Sequence, residues 1–245
     1  MINYLGLLIL LAFLPGYVFK SAILVTIAGQ NKLSDYFEWS CRTIDASSSL
    51  FDMLVIHEGN KVLLNDVHCA ANVVFINLGA KGFSNLIVNK LMELSPLNDT
   101  KQNLVSLLDT VITHIPRYLV EIKPVSGYLF EEYLSSYSHW TYSDPDIIWG
   151  DLPNFIEEED LSNYDILTFS KSLDASRLFL RGQFSLHKNN VMMNSLWKRL
   201  SYFEPLQFAK RISDAANLIT SEAFKTSSEY IFTKYFFSAE GNPRF

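Results

Sequence analysis

Three short apolar runs near the start of the chain constrain its fold more than any other feature. They lie at residues 22–28, 53–57 and 72–77, and each is closed by a turn with glycine or polar residues within two positions of its end. A short apolar run that ends in such a turn is typical of a parallel strand buried on both faces. Apolar residues then recur at helical spacing between the first two runs, which predicts a helix packed on the sheet. The alternation predicts an α/β fold with ligands at the carboxyl ends of the strands.

The rest of the chain continues this pattern of helices and strands. Helices are predicted at 83–94, 104–115 and 129–137, strands at 138–143, 165–169 and 177–186, and a largely helical remainder at 191–239. Neither an internal repeat nor a low-complexity linker divides the chain. We therefore expect one domain over residues 21–245.

Composition excludes several classes of protein. Of 245 residues, 49% are hydrophobic, which is enough to fill a large core and excludes wholesale disorder. The 20 basic and 26 acidic residues give a formal charge of −6 without an arginine-rich run, which disfavours nucleic acid as a partner. Two cysteines, Cys41 and Cys69, are too few for a disulfide scaffold and lack zinc-site spacing, and Cys41 falls on the apolar stripe of the first helix.

The amino terminus is unlike the rest of the chain. Residues 1–19 include no charged side chain before Lys20, and such a length is near the lower limit for a spanning helix. We expect residues 1–20 to be a signal anchor or signal peptide, with a buried core helix as the alternative. A membrane partner through residues 2–19 and a location in the Golgi or endoplasmic reticulum, in its membrane or lumen, follow from that interpretation.

One short motif carries candidate chemistry. The sequence lacks the GxSxG, GxxxxGK[ST], GxGxxG and HExxH motifs, so several common enzyme classes lose their main support. What remains is Asp144-Pro145-Asp146, two carboxylates one residue apart after a β-prone stretch. In an extended turn both side chains point the same way, and hard oxygen ligands suit Mg²⁺ or Mn²⁺. A plain surface turn is the alternative.

A longer series of motifs resembles the DUF6625 family. The series is Lys123-Pro124, Gly127-Tyr128-Leu129-Phe130, Tyr137-Ser138-His139-Trp140, Asp144-Pro145-Asp146, Gly150-Asp151-Leu152, Tyr164-Asp165-Ile166, Arg181-Gly182-Gln183-Phe184 and His187-Lys188-Asn189. The resemblance covers roughly residues 22–240. It implies glycosyltransferase-like proteins with a GT-A (Rossmann-like) fold, a mixed and mostly parallel sheet flanked by helices.

The resemblance also implies an activity and a cofactor. A UDP- or GDP-sugar would donate its sugar to a glycan, lipid or protein acceptor, and Mn²⁺ or Mg²⁺ would be held at Asp144 and Asp146. The family pattern commonly has Leu or Ile between the two carboxylates, whereas Pro145 stands here and fixes the backbone of the turn. Relatives continue past the point that residues 236–241 resemble, so an incomplete C-terminus, with activity in doubt, is left open.

Four residues are predicted to contact the donor. Gly29 and Gln30 follow the first strand and would face the nucleotide in a GT-A fold. Glu58 follows the second strand and either approaches the donor or lies in a solvated turn. Lys123 either approaches a phosphate or is a structural lysine.

Three further residues are predicted to contact the sugar or the acceptor. Gly182 lies where transferases of this shape bring the backbone close to both substrates, and Gln183 and His187 follow it. His187 is alternatively a third metal ligand or a strand histidine bonded to its neighbours. No catalytic base is assigned. The competing prediction for the whole chain is a catalytically inactive GT-A-like binding or scaffold protein.

Overall fold

The computed structural model of the protein describes residues 20–28, 36–59, 67–93, 101–169 and 184–220. Within these residues, six strands form one sheet: β1 (Ser21–Ile27), β2 (Phe51–His57), β3 (Val73–Asn77), β4 (His139–Ser143), β5 (Ile166–Thr168) and β6 (Ser185–Lys188). The α-helices are α1 (Phe37–Thr43), α2 (Gly82–Leu91), α3 (Lys101–His114), α4 (Ser126–Leu129), α5 (Glu131–Leu134), α6 (Glu158–Asn163), α7 (Val191–Asn194) and α8 (Pro205–Thr220). A 3₁₀ segment, Pro116–Val125, joins α3 to α4.

The strand order is β3-β2-β1-β4-β6-β5. β1 lies between β2 and β4 and is parallel to both, and β2 is parallel to β3. β6 runs antiparallel to its neighbours β4 and β5. This arrangement confirms the predicted mixed, mostly parallel sheet of a Rossmann-like α/β fold.

Both faces of the sheet are covered, as the continuous apolar runs predicted. Alternate strand residues such as Leu24, Ile56 and Trp140 belong to one core, which α2, α3, α8 and the 3₁₀ segment complete. Their neighbours, such as Val25 and Val55, belong to a second core together with residues of α1. Because successive side chains on a strand point to opposite faces, an uninterrupted apolar run fills both cores at once.

The predicted helix 129–137 differs from the structure. The chain instead forms the short helices α4, which ends at Leu129, and α5, and the two are separated at Phe130. Pro124, which has no backbone N–H, lies in the 3₁₀ segment just before α4. Gly127 then allows the Trp140 ring to approach so closely that a Cβ at this position would lie 2.4 Å from Trp140 Cε2. Side-chain packing against β4 thus decides the local backbone.

The later predictions are met in part. The strand predicted at 177–186 begins at Ser185, and residues 170–183 lie outside the described part of the chain. Up to residue 220, where the described part of the chain ends, the predicted helical remainder contains α7, two 3₁₀ turns and α8, which begins at Pro205. Proline suits the first turn of a helix, where its missing N–H has no intrahelical partner.

The predicted amino-terminal segment, residues 1–19, lies outside the described residues. Among those that are described, no helix combines the length and the apolar character that spanning a membrane requires.

A disulfide joins Cys41 to Cys69 across the second core. Cys41, on α1, is fully buried, as its position on the apolar stripe predicted. Its pairing with the segment before β3 was not predicted, because two cysteines far apart in sequence do not reveal that they meet in space. The bond ties α1 to the outer half of the sheet.

Candidate functional site

The order of the strands creates a topological switch point at the carboxyl ends of β1 and β4, and we call the space outside these ends the crevice. From β1 the chain builds outward through β2 and β3, whereas β4 lies on the other side of β1. In open α/β sheets, ligands bind at such a switch point, outside the carboxyl ends of the strands. Val25 pairs with Ser143 in the register of β1 and β4, and Asp144 follows Ser143 directly. Asp144 therefore lies at this switch point, directly after the carboxyl end of β4.

Asp144 forms an ion pair with Lys123. The Lys123 Nζ lies 2.5 Å from Asp144 Oδ1 and 5.5 Å from the centroid of the Tyr142 ring. Only 11% of the Lys123 side-chain surface is exposed, against 33% for Asp144. The structure thus brings together two residues that the sequence placed in different roles, one as a phosphate contact and the other as a metal ligand.

Asp146, the second carboxylate of the motif, is exposed at the end of the turn. Its charge and those of Lys123 and Asp144 sum to −1, so the three side chains together favour a cation over an anion. Across the described part of the chain, no group of three or more His, Cys, Asp and Glu side chains is arranged to hold a metal ion. Two carboxylates nevertheless fit Mg²⁺, which keeps several waters and is bound by one or two carboxylates together with substrate phosphates.

The segment after this turn is anchored to α1. The Trp149 backbone N–H donates to Thr43 Oγ1 over 2.9 Å, and its indole Nε1 donates to Ser40 Oγ over 3.2 Å. Ser47 Oγ donates to the carbonyl of Gly150 over 3.0 Å. Trp149 is buried in the second core. Trp149 therefore anchors the chain directly after the Asp144–Asp146 turn to α1.

Glu58 lies at the same edge of the sheet, after β2. Its Oε1 accepts a hydrogen bond of 2.7 Å from the backbone N–H of Phe83, in the first turn of α2. A carboxylate at this position satisfies a free donor of the helix and interacts favourably with the helix dipole. The contact gives Glu58 a structural role, and its predicted contact with a donor stays a prediction.

Most of the residues of this site lie in a region that matches a known protein family. The model of DUF6625, a family of unknown function, matches residues 59–240. The chain belongs to the DUF6625 family. The DUF6625 region includes Lys123, Asp144, Asp146 and His187, whereas β1, β2 and Glu58 precede it. No curated protein matches the chain.

His187 lies in the DUF6625 region on β6, away from solvent. Its ring stacks on Trp140, with ring centroids 4.5 Å apart and an interplanar angle of 12°. The residue is 7% exposed, and its buried Nε2 has no hydrogen-bond partner among the residues that the structure describes. Burial lowers the pKa of His187 to about 4, so the ring is neutral at pH 7. Packing under Trp140 accounts for its position, and its predicted contact with a sugar or acceptor stays untested.

A network of asparagines follows β6, and the sequence analysis assigned it no role. Asn189 Nδ2 donates to the carbonyls of Leu134 and Tyr137 over 2.8 and 2.9 Å. Asn194 Nδ2 donates to Asn189 Oδ1, and Asn194 Oδ1 accepts from Trp140 Nε1, each over 2.8 Å. These partners of Asn189 and Asn194, on β4 and at the end of α5 and just after it, are not visible in the sequence.

The remaining predicted contacts lie outside the described residues. These are Gly29 and Gln30 after β1, and Gly182 and Gln183 before β6.

Proposed function

We propose that this DUF6625 chain is a glycosyltransferase of GT-A-like fold that moves a sugar from a nucleotide-sugar donor to an acceptor. The observation that carries the proposal is the position of Asp144 at the switch point between β1 and β4, with the ammonium of Lys123 beside it. The motif resemblance and the mixed, mostly parallel sheet agree with this proposal. The donor would be a UDP- or GDP-sugar, and the acceptor a glycan, lipid or protein.

A divalent cation at Asp144 and Asp146 is part of the proposal. When bound by these two carboxylates, Mn²⁺ or Mg²⁺ would supply positive charge that offsets the negative charge of the nucleoside diphosphate. The chain itself would supply two carboxylates on a turn that is held in place by Trp149. Lys123 would supply a positive charge within reach of the same crevice.

A secretory location belongs to the same proposal. Disulfides persist in oxidising compartments such as the endoplasmic reticulum lumen and the extracellular space. The Cys41–Cys69 disulfide therefore supports the interpretation of residues 1–20 as a signal anchor or signal peptide. Carbonate extraction of membranes tests the anchor. Full-length protein recovered in the soluble fraction would reject it.

Ligand binding and turnover test the transferase proposal. UDP-sugars and GDP-sugars are titrated with and without Mn²⁺ while the melting temperature is followed, because a ligand of the folded state raises it. We expect stabilisation by a donor with Mn²⁺, lost in Asp144→Asn and in Asp146→Asn. Asp151→Asn is the matched control, since this exposed carboxylate lies in the same segment, outside the predicted metal site, and accepts a hydrogen bond from Asn154 Nδ2. Mass spectrometry of donor and acceptor mixtures then tests turnover, and Mn²⁺-dependent turnover in the double variant would reject the metal site.

The Lys123–Asp144 ion pair also favours a second candidate, a catalytically inactive GT-A-like binding protein. An ammonium at Asp144 satisfies that carboxylate without a metal ion. Such a protein would bind nucleoside diphosphates equally well with and without Mn²⁺ and would transfer no sugar.

A further inference from the structure

We infer that Lys123 and a divalent cation compete for the Asp144 carboxylate, which makes cation binding depend on the nucleoside diphosphate. The inference rests on the proposed function. In the structure, the ammonium of Lys123 lies against Asp144 Oδ1, where a metal ligand was predicted. A divalent cation at the same carboxylate would lie within a few ångströms of that ammonium. Like charges so close repel strongly in a partly buried crevice.

Lys123 is held near Asp144 by its surroundings. The side chain is largely covered and lies near the face of Tyr142. Its backbone belongs to the 3₁₀ segment, and the neighbours Ile122 and Val125 are buried in the first core. The ammonium can therefore move by rotation of its own side chain, but the backbone that carries it cannot retreat. A cation that takes Asp144 leaves the ammonium in the crevice.

Charge explains why a diphosphate would resolve this competition. While Lys123 neutralises Asp144, Asp146 is the carboxylate of the motif that remains for a cation, and one exposed carboxylate binds Mn²⁺ or Mg²⁺ weakly. A diphosphate offers the ammonium a new anionic partner and offers the cation further oxygen ligands. Cation and diphosphate would then each strengthen the binding of the other, and the coupling must be reciprocal.

The test measures binding of Mn²⁺ alone, of UDP and GDP alone, and of each nucleotide with Mn²⁺, by isothermal titration calorimetry. In Lys123→Met we expect Mn²⁺ alone to bind about tenfold more tightly than in the wild type, because the competing charge is gone. The same variant should bind the nucleotide alone more weakly, and the coupling between nucleotide and Mn²⁺ should shrink. Lys123→Arg keeps the charge and should keep the weak binding of Mn²⁺ alone.

Lys90→Met is the matched control for loss of a covered lysine. Lys90 contacts Glu131, is 16% exposed at its side chain and lies 5.2 Å from the centroid of the Tyr128 ring. It is near the end of α2, the helix that follows β3, and is therefore far from the carboxyl edge of the sheet. Its loss should leave all three binding measurements unchanged, and thermal melts check that every variant is folded.

The outcomes separate the inference from the proposed function. Unchanged or weaker binding of Mn²⁺ alone in Lys123→Met overturns the inference, even if the wild type binds UDP or GDP with Mn²⁺ and the proposed function stands. Tighter binding of Mn²⁺ in the variant supports the competition. If neither nucleotide then binds the wild type, the proposed function fails although the competition is real. If no variant binds Mn²⁺ or a nucleotide, both are rejected.

Discussion

The disulfide between Cys41 and Cys69 should be a large contributor to the stability of this domain. It joins residues 28 positions apart in the sequence and so restricts the unfolded chain. For a loop of that length, the chain-entropy relation gives about 3.5 kcal/mol at 25 °C. A typical domain is stable by only about 5–15 kcal/mol, so reduction should remove a substantial part of the total. For a domain of this size the loss corresponds to a fall of roughly 10 °C in melting temperature.

Urea denaturation of the oxidised and reduced protein measures this contribution. The Cys41→Ala/Cys69→Ala double variant serves as the control, because it should lie near the reduced wild type and be insensitive to reductant. Two thiols should react with a thiol reagent in the unfolded protein after reduction, and none before. Reactive thiols in the unfolded, unreduced protein would show that the bond is absent. An unchanged urea midpoint after verified reduction would refute the entropic argument.

Three further changes test the packing and charge arguments. Gly127→Ala should cost about 1–3 kcal/mol of stability, because the added Cβ would clash with Trp140. Gly150→Ala should cost much less, because no described atom lies within 4 Å of an added Cβ there. Equal losses of stability in urea denaturation would contradict this packing argument. Burial lowers the pKa of His187 to about 4 from an ordinary 6.5, so the unfolded chain takes up the proton first. The stability that neutral His187 contributes to the folded state is complete above pH 6.5 and is lost as the pH falls towards 4. Between pH 6.5 and 4.5, His187→Phe should therefore lose roughly 2–3 kcal/mol less stability than the wild type. Parallel stability profiles of the two proteins would contradict this. Glu58→Ala should lower stability by about 1 kcal/mol through the uncapped helix, and a parallel fall in UDP affinity would show that Glu58 also contacts the donor.

Much of the sheet could be predicted because buried strands leave a local signal. The runs at 22–28, 53–57 and 72–77 correspond to β1, β2 and β3 within one or two residues. Apolar side chains on consecutive residues are required wherever both faces of a strand are covered. The helix predicted at 104–115 corresponds to α3, and it also left a local signal because its apolar stripe repeats over several turns.

The predictions are weakest where long-range packing sets the backbone. The sequence predicts one helix at 129–137, whereas the chain forms two short helices separated at Phe130, and Trp140 packs closely against Gly127 in the first of them. The neighbour of Gly127 belongs to a strand that comes later in the chain. No pattern within the segment itself could report that contact.

The candidate site, too, could be predicted from the sequence only in part. The sequence determined that Asp144 and Asp146 follow a strand, because a β-prone run and a polar turn are adjacent in the chain. It also determined that Lys123 precedes a proline, without saying where the ammonium would lie. Only the tertiary structure decided that Lys123 meets Asp144, that Cys41 meets Cys69 and that Trp140 covers His187. Each of these pairs joins different elements of the fold, and their distances depend on the order of the strands, which the residues of a single segment do not encode.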